Sequence, residues 1–183
     1  MTSNHRVVLR APLDGVPRAE DFELREGPLP APGPGEVLVQ HEYLSLDPYQ
    51  RPAMAGRHVS ASGPMGAGDM PPGETVGVVL ESKDPAFAAG DCVRHFGGWQ
   101  SHSVATAGEL HRVDSNRAPM SAWLGVLGMP GLTAWASIVQ LARVQAGQVV
   151  LVSAAAGPVG ATLGQIARHR GARVVGVAGS EQK

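Results

Sequence analysis

Three small residues at a fixed spacing, Ala155, Gly157 and Gly160, follow an apolar run and open a segment with helical periodicity. In dinucleotide-binding folds the first strand turns here into a helix whose free N–H groups face a pyrophosphate, and side chains would block that approach. The usual pattern has glycine at all three positions, so alanine replaces the first one. We predict that residues 155–160, including Pro158 and Val159, bind the cofactor phosphates. A tight turn without a ligand would use the same glycines and stays open as an alternative.

The sequence VAGSEQK follows the second strand of the predicted unit, where dinucleotide folds select between cofactors. Sites that prefer NAD place Asp or Glu near this point to accept from the ribose 2'-hydroxyl. Here Gly179 makes space, Ser180 offers a donor and Lys183 can pair with a 2'-phosphate, whereas Glu181 is the one contrary charge. The sequence therefore favours NADP(H) over NAD. The alternative for Lys183 is an exposed lysine that binds nothing.

The elements around the turn form one β-α-β unit. QVVLVSAAAG is rich in β-branched residues with little alternation, which predicts a strand buried on both faces of a parallel sheet. PVGATLGQIARHR is a predicted helix that ends before Gly171, and ARVVGVAG is a predicted second strand. A doubly wound Rossmann sheet has roughly six strands. We therefore expect an incomplete sheet with an exposed edge, as in the N-terminal part of a longer polypeptide; a full-length product would have to pair with another subunit.

Short apolar runs separated by Gly and Pro fill the first part of the sequence, from His5 to about Val113. This rhythm predicts a compact antiparallel barrel. Residues 28–36 form a rigid connector, and residues 55–74 are predicted to be a mobile loop that serves as a lid or binding loop or is simply disordered. The predicted strands are RVVLR, EVLVQHEYLSL, ETVGVVLES, DCVRHF and WQSHSVA.

The pattern changes after Arg117. APMSAWLGVLGM and PGLTAWASIVQLARV carry apolar residues at helical spacing, and Pro130 suits the first position of the second helix. The predicted fold class is mixed β and α/β. Residues 1–118 form a barrel, and residues 119–183 begin a doubly wound parallel sheet.

Composition excludes several classes of function. The formal charge of −1, with scattered Lys and Arg, provides no basic surface for nucleic acid. A single cysteine, Cys92, excludes an internal disulfide and suits a reducing compartment, and no stretch approaches the ~20 apolar residues of a membrane span. We expect a cytoplasmic protein. No metal site is expected, because the histidines lack ligand spacing; His95 and His102 are interpreted as ordinary strand or turn residues.

Five segments in order resemble the zinc-free medium-chain dehydrogenase/reductases, in particular the prostaglandin reductases, plant double-bond reductases and curcumin-reductase-like enzymes. The segments are YLSLDPYQR, GETVGVVLES, GDCVRHFGGWQ, LGVLGMPGLTAW and SAAAGPVGATLGQIA with GARVVGVAGSEQK. The resemblance implies a GroES-like barrel, a Rossmann domain and NADPH bound in the cleft between them. It also implies hydride transfer to the β-carbon of an α,β-unsaturated ketone or aldehyde. A homodimer is the family's habit in the full-length protein.

The resemblance also suggests site residues. Met129 and Thr133 match positions beside the nicotinamide, with a helix start packed in the domain junction as the alternative. Tyr49 is the candidate catalytic residue near the substrate, because a phenol can stack and donate; a tyrosine that packs the barrel is the alternative. A further tyrosine that stabilises the enolate is expected beyond residue 183.

Two other functions stay open. Quinone reduction occurs in the same superfamily, and a truncated barrel can also serve as a non-catalytic binding or scaffold module. NADPH binding separates the scaffold from the enzymes, and activity on an enone or a quinone separates the two reductases.

Overall fold

The computed structural model describes residues 3–57 and 65–180. The chain divides into two compact units, Met1–Met120 and Ser121–Lys183. The predicted domain boundary between residues 118 and 119 lies two residues before this division. Residues 58–64 of the segment predicted as a mobile loop lie outside the described residues, and the described part of that segment after residue 64 contains no helix or strand.

The first unit is built from antiparallel strands. Strands β1 and β2 pair with each other, and the other five form a sheet in the order β6-β3-β4-β5-β7. A bridge between Arg6 and Gln100 joins the two sheets, which gives the GroES-like barrel. The elements are β1 Ser3–Leu9, β2 Phe22–Pro28, β3 Glu36–Leu44, helix α1 Gln50–Met54, β4 Thr75–Ser82, β5 Cys92–His95, β6 His102–Thr106 and β7 His111–Arg112, with 3-10 turns at Ala19–Asp21 and Ala107–Glu109.

The barrel core follows from the two-residue period of its strands. Val37 and Val39 on β3, Val93 on β5 and Ala105 on β6 are buried in one cluster because alternate side chains share a face. Gly77 on β4 is needed at this point, since a Cβ there would lie 1.9 Å from the carbonyl oxygen of Gln40. Strands β3 and β4 therefore approach more closely than a side chain would allow.

All five predicted barrel strands are present, but the sequence did not indicate β2 or β7. Strand β2, FELREGP, has no buried residue, and β7 has only two exposed residues, so neither carries an apolar alternation. Both strands form because they pair with a neighbouring strand. The composition of a single segment does not show such pairing.

The second unit contains two parallel strands and a helix between them. Strand β8 pairs with β9 in register from Val149 opposite Arg173 to Val152 opposite Gly176. Helix α3 packs on one face of this pair, where Leu163 and other apolar side chains form a cluster. The elements are a 3-10 helix at Met120–Leu124, α2 Met129–Trp135, β8 Val149–Val152, α3 Pro158–His169 and β9 Arg173–Gly176. This is the start of a Rossmann sheet.

Strand β8 is not buried on both faces, so that prediction was wrong. Val149 and Leu151 are 64% and 70% exposed, whereas Val152 is buried. Among the described residues α3 covers one face of the strand pair and no helix covers the other. The lack of alternation in the sequence indicates that both faces of the strand are apolar. It does not show which elements, if any, pack on them.

The predicted helices before β8 are also different in the structure. The segment APMSAWLGVLGM forms only the short 3-10 helix, and α2 continues from residue 136 as a π-helix, Ala136–Leu141. The hydroxyls of Thr133 and Ser137 donate to carbonyls four residues earlier, at 2.8 Å each. Such bonds compete with the regular helical ladder and often bend it. In the described part of the chain, no helix has both the length and the apolar character that crossing a membrane requires.

Candidate functional site

The turn between β8 and α3 has the geometry of an anion-binding helix start. Gly157 is the N-cap residue in an extended conformation, and Pro158 occupies the first helical turn. The turn is closed by a 2.9 Å hydrogen bond from the Gly157 N–H to the Ala154 carbonyl. The first N–H groups of a helix have no partner within it. In α3, which has twelve residues, these groups and the helix dipole are available to a phosphate.

Gly160 allows the helix to approach the turn. A Cβ at this position would lie 2.5 Å from the Ala154 carbonyl oxygen and 2.9 Å from the Ala155 Cα. At Gly157 the nearest atom would be the same carbonyl oxygen at 3.2 Å, a tighter contact than usual. Ala155, in the first position of the pattern, itself fills space: a Cβ on Gly176 would lie 2.8 Å from the Ala155 methyl.

Backbone strain accompanies this turn. Ala154 has a φ of +48°, in the left-handed region that a side chain disfavours. Its neighbour Ala155 donates its N–H to the Val177 carbonyl at 3.0 Å, and Val177 donates to Val152 at 2.8 Å. The turn is therefore held against the segment that follows β9.

The same bonds bring the predicted cofactor-selecting segment to the turn. Because β8 and β9 are parallel, their carboxyl ends meet at one edge of the sheet, where residues 155–160 and the segment after Gly176 both lie. Gly179 and Ser180 are exposed there, and Gly179 has open space around its Cα. Lys183 lies outside the described residues.

Met129 and Thr133 lie one turn apart on α2, which packs against α3. The Met129 side chain is half exposed, and the Thr133 hydroxyl donates to the Met129 carbonyl at 2.8 Å. Thr133 is exposed, and its oxygen keeps capacity to accept a hydrogen bond. The second unit thus contains all the described candidate cofactor residues.

Tyr49 belongs to the first unit, where it is the N-cap residue of α1. Its hydroxyl is buried and has no hydrogen-bond partner among the described residues. Burial raises the pKa of the Tyr49 phenol, so the group stays protonated and can donate. A buried hydroxyl without a hydrogen-bond partner costs free energy of desolvation. A ligand with an acceptor beside this hydroxyl would remove that cost.

A polar cluster inside the barrel was missed by the sequence analysis. The Nε2 atoms of His41 and His95 are 3.2 Å apart, and the Ser103 Oγ lies 2.7 Å from the first and 3.1 Å from the second. His95 and Ser103 are almost fully buried. The interpretation of His95 as an ordinary strand residue overlooked this contact. His102, also buried, makes a separate 2.9 Å contact with the Ser101 hydroxyl.

A signal for this cluster was present in the sequence. His41 continues the two-residue period of Val37 and Val39, and His95 continues that of Val93. Residues that extend the buried face of a strand point inward even when they are polar. The alternation should have placed both histidines inside the barrel.

Burial keeps both rings neutral. It lowers the pKa of His41 to about 4, although the Gln100 carbonyl opposes the shift, and it lowers the pKa of His95 to about 4 against the charge of Glu109. A cavity of about 420 Å³ lies beside the cluster and is lined by His95, Ser103 and Glu109, among others. Within residues 3–57 and 65–180, no group of three or more His, Cys, Asp or Glu side chains is arranged to hold a metal.

Comparisons with known proteins agree with this architecture. A family model described as the N-terminal domain of oxidoreductase matches residues 5–113. The NADPH-dependent curcumin reductase of Escherichia coli (strain K12) is 42% identical over 180 residues, which are 98% of this chain and 52% of that protein. The 2-alkenal reductase (NADP(+)-dependent) of Nicotiana tabacum is 39% identical over 99% of this chain and 54% of its own length.

A solved structure shares the fold over nearly all of the chain. The crystal structure of CurA in complex with NADPH from Vibrio vulnificus has a TM-score of 0.87 and 36% identity, covering 97% of this chain and 52% of that one. The chain spans about half the length of the curated relatives it matches. It belongs to the medium-chain dehydrogenase/reductase family of NADP-dependent oxidoreductases and corresponds to the N-terminal half of its relatives.

Proposed function

We propose that this chain is part of an NADPH-dependent oxidoreductase that reduces the C=C bond of α,β-unsaturated ketones and aldehydes. The observation that carries the proposal is the turn from β8 to α3, where glycines at residues 157 and 160 leave the helix start open to a phosphate. The similarity to an NADPH-dependent curcumin reductase and to a 2-alkenal reductase supports the proposed cofactor and substrate class.

The residues of the turn fit the phosphates of a dinucleotide. The free N–H groups at the start of α3 donate to the pyrophosphate, and the close packing that Gly160 permits keeps the helix end at the strand edge. Ala155, Pro158 and Val159 shape the turn without adding a charge that would repel the ligand. Because the fold already orders these N–H groups, binding of the ligand loses little further conformational entropy.

The segment after β9 supports NADP over NAD. The exposed Ser180 supplies a hydroxyl donor, and Gly179 supplies open space for a 2'-phosphate. From its place in the sequence, Lys183 is the residue whose positive charge would pair with that 2'-phosphate. An aspartate that would accept from a ribose 2'-hydroxyl is missing from the sequence VAGSEQK, whose one acidic residue is Glu181.

Tyr49 is the proposed hydrogen-bond donor to the substrate. When bound, NADPH supplies a hydride to the carbon β to the carbonyl. Charge then develops on the carbonyl oxygen, and a buried phenol that has no partner among the described residues stabilises it strongly in a site of low dielectric. Met129 and Thr133 are proposed to contact the nicotinamide, Met129 by its half-exposed thioether and Thr133 by its hydroxyl oxygen.

Titration with NADPH, followed by nicotinamide fluorescence, tests the proposal. We expect saturable binding of NADPH and weaker binding of NADH. Lys183→Ala should reduce the preference for NADPH without weakening NADH, because only the 2'-phosphate is affected. Lys83→Ala is the matched control, since Lys83 lies in the first unit. No binding of either nucleotide would reject the proposal and favour a scaffold module.

Activity is tested separately, by NADPH oxidation with an enone and with a quinone. We expect oxidation with the enone and a large loss of kcat in Tyr49→Phe, on the order of 10²-fold for one lost donor to a developing oxyanion. Turnover of the quinone alone would replace ene reduction by quinone reduction.

Intact mass in solution tests the further proposal of a homodimer of the full-length protein. We also propose a cytoplasmic location, based on the single cysteine.

A further inference from the structure

We propose that Gln50 is a positioning residue for Tyr49, whose buried side chain orders the loop that presents the phenol and supports the phenol oxygen while it donates. Gln50 begins helix α1 and is only 3% exposed, although glutamine side chains usually lie at the surface. A buried amide costs free energy unless its hydrogen bonds are made. This role rests on the function proposed above for Tyr49, the donor to the substrate carbonyl.

Both ends of the Gln50 amide bind the loop between β3 and α1. The Gln50 Nε2 donates to the Ser45 carbonyl at 2.8 Å, and the Asp47 N–H donates to the Gln50 Oε1 at 3.1 Å. Because a carbonyl only accepts and a backbone N–H only donates, these partners fix which end of the amide is oxygen. The backbone N–H of Gln50 also donates to the Asp47 carbonyl at 3.1 Å. The side chain therefore closes this loop into one compact turn.

Tyr49 lies inside the closed turn. It directly precedes Gln50 and is the N-cap residue of α1, with a φ of −65° and a ψ of −23°. The turn is attached to the barrel by a 2.9 Å hydrogen bond from the Ser45 N–H to the Glu74 carbonyl. The backbone of Tyr49 is thus held between two fixed points. Loss of the Gln50 amide would release this segment and with it the direction of the phenol.

The Gln50 amide is also held by segments outside its own turn. A Cβ on Gly73 would lie 3.1 Å from the Gln50 Nε2 and 3.3 Å from the Trp99 Cδ1. It would lie 2.5 Å from the Leu44 Cδ1. Glycine at this position therefore leaves the space in which the amide nitrogen packs close to the indole and the leucine. This packing restricts the amide to the orientation that its hydrogen bonds select.

The groups around the Tyr49 phenol act in opposite directions on its oxygen. Burial raises the pKa of the Tyr49 phenol, and the side chain of Gln50 opposes that rise. The charges of Asp47 and Glu74 raise the pKa by smaller amounts, and Glu74 is itself paired with Arg94. An amide N–H near the phenol oxygen favours negative charge there. When Tyr49 donates to a developing enolate its oxygen gains negative charge, and the Gln50 amide stabilises that charge.

The kinetics of NADPH oxidation with an enone test whether Gln50 acts through Tyr49. Gln50→Leu should lower kcat about 10-fold and change KM little, since one donor near a charge-bearing oxygen is lost. In a Tyr49→Phe background the same change should have no further effect on kcat, because the phenol is absent. Gln145→Leu is the matched control: the Gln145 Nε2 also donates to a nearby carbonyl, but the side chain is exposed and lies in the second unit.

A titration of the phenol tests Gln50 without requiring turnover. Incorporation of 3,5-difluorotyrosine at both tyrosines brings the titration towards neutral pH and gives each residue a ¹⁹F signal; Tyr49→Phe identifies the signal of Tyr49. Gln50→Leu should raise the pKa of Tyr49 above that in the wild-type chain, because the contribution that opposes burial is removed. A turn that merely loosened would expose the phenol and lower its pKa instead.

Two results would overturn the role of Gln50. One is an unchanged or lowered pKa of Tyr49 in Gln50→Leu, and the other is an equal loss of kcat from Gln50→Leu with and without the phenol. If Gln50→Leu has no effect while Tyr49→Phe loses activity, only the positioning role fails. If Tyr49→Phe keeps full activity, the function proposed for Tyr49 fails together with it.

Discussion

The two units of this chain differ in how far the apolar side chains of their strands are buried. In the first unit Val37 and Val39 of β3, Val76 of β4 and Val93 of β5 all have 0% exposure. In the second unit Leu151, also on a strand, is 70% exposed. Strands β3, β4 and β5 have a paired strand on each side, whereas β8 has one paired strand and one covering helix. An apolar strand contributes to stability only through the surface that something else covers.

The difference extends to polar groups. The barrel encloses His41, His95 and Ser103, and satisfies them by contacts with one another. The second unit leaves its polar features open: the N–H groups that start α3 and the exposed Ser180. A satisfied buried cluster favours one rigid arrangement, whereas open donors are suited to a ligand that comes and goes.

The largest expected effect compares two leucines. Leu9 is fully buried beside Leu13 and Met54, so Leu9→Ala should lower the free energy of unfolding by about 2–5 kcal/mol. Leu151→Ala should change it by less than about 0.5 kcal/mol, because little buried surface is lost. Urea unfolding followed by tryptophan fluorescence measures both. Equal losses would mean that the exposed face of β8 is covered in solution.

The second prediction concerns pH and the histidine pair. His41 and His95 have pKa values of about 4 in the folded protein and 6.5 ordinarily. Below pH 6.5 the unfolded chain binds protons that the folded chain does not, so stability falls as the pH drops from 6.5 to 4. Each ring contributes up to about 1.4 kcal/mol per pH unit.

Urea unfolding at a series of pH values between 7 and 4 measures this slope. His95→Gln should reduce it, and the exposed His111→Gln should leave it unchanged. A wild-type stability that is flat across this window would show that the rings are charged, or exposed, in the folded barrel.

The third prediction tests the turn. Gly160→Ala would place a methyl 2.5 Å from the Ala154 carbonyl oxygen and should destabilise the second unit by about 1–3 kcal/mol. Gly179→Ala meets open space and should be close to neutral. Comparison of unfolding midpoints, with hydrogen exchange of the α3 amides, gives the result. A neutral Gly160→Ala would show that the turn is looser than its geometry indicates.

The smallest expected effect is a gain in stability. Ala154→Gly relieves the positive φ and should stabilise the chain by about 0.5–1 kcal/mol. Ala156→Gly, two residues away and without a positive φ, should destabilise it by about 0.4–1 kcal/mol. Loss of stability in Ala154→Gly, measured by thermal unfolding, would contradict the left-handed conformation of this residue.

Local patterns explain what could be predicted. Strands and helices with a clear period, such as β3 and α3, were found from sequence because one face of each is apolar. The turn at Gly157 was found because its spacing serves a specific backbone geometry. Strand β2 was missed because its polar sequence contains no such period, and the π-helix was missed because its apolar spacing resembles that of a regular helix.

The sequence by itself determined the family, the order of the strongly periodic elements and the place of the glycine turn, since these depend on local composition and spacing. Only the tertiary structure decided which faces are covered, that the buried Tyr49 hydroxyl has no partner within residues 3–57 and 65–180, and that His41, His95 and Ser103 meet. These three residues are up to 62 positions apart in the chain. Their contact follows from the pairing of β3 with β6 and of β4 with β5, which depends on neighbouring strands rather than on any one segment.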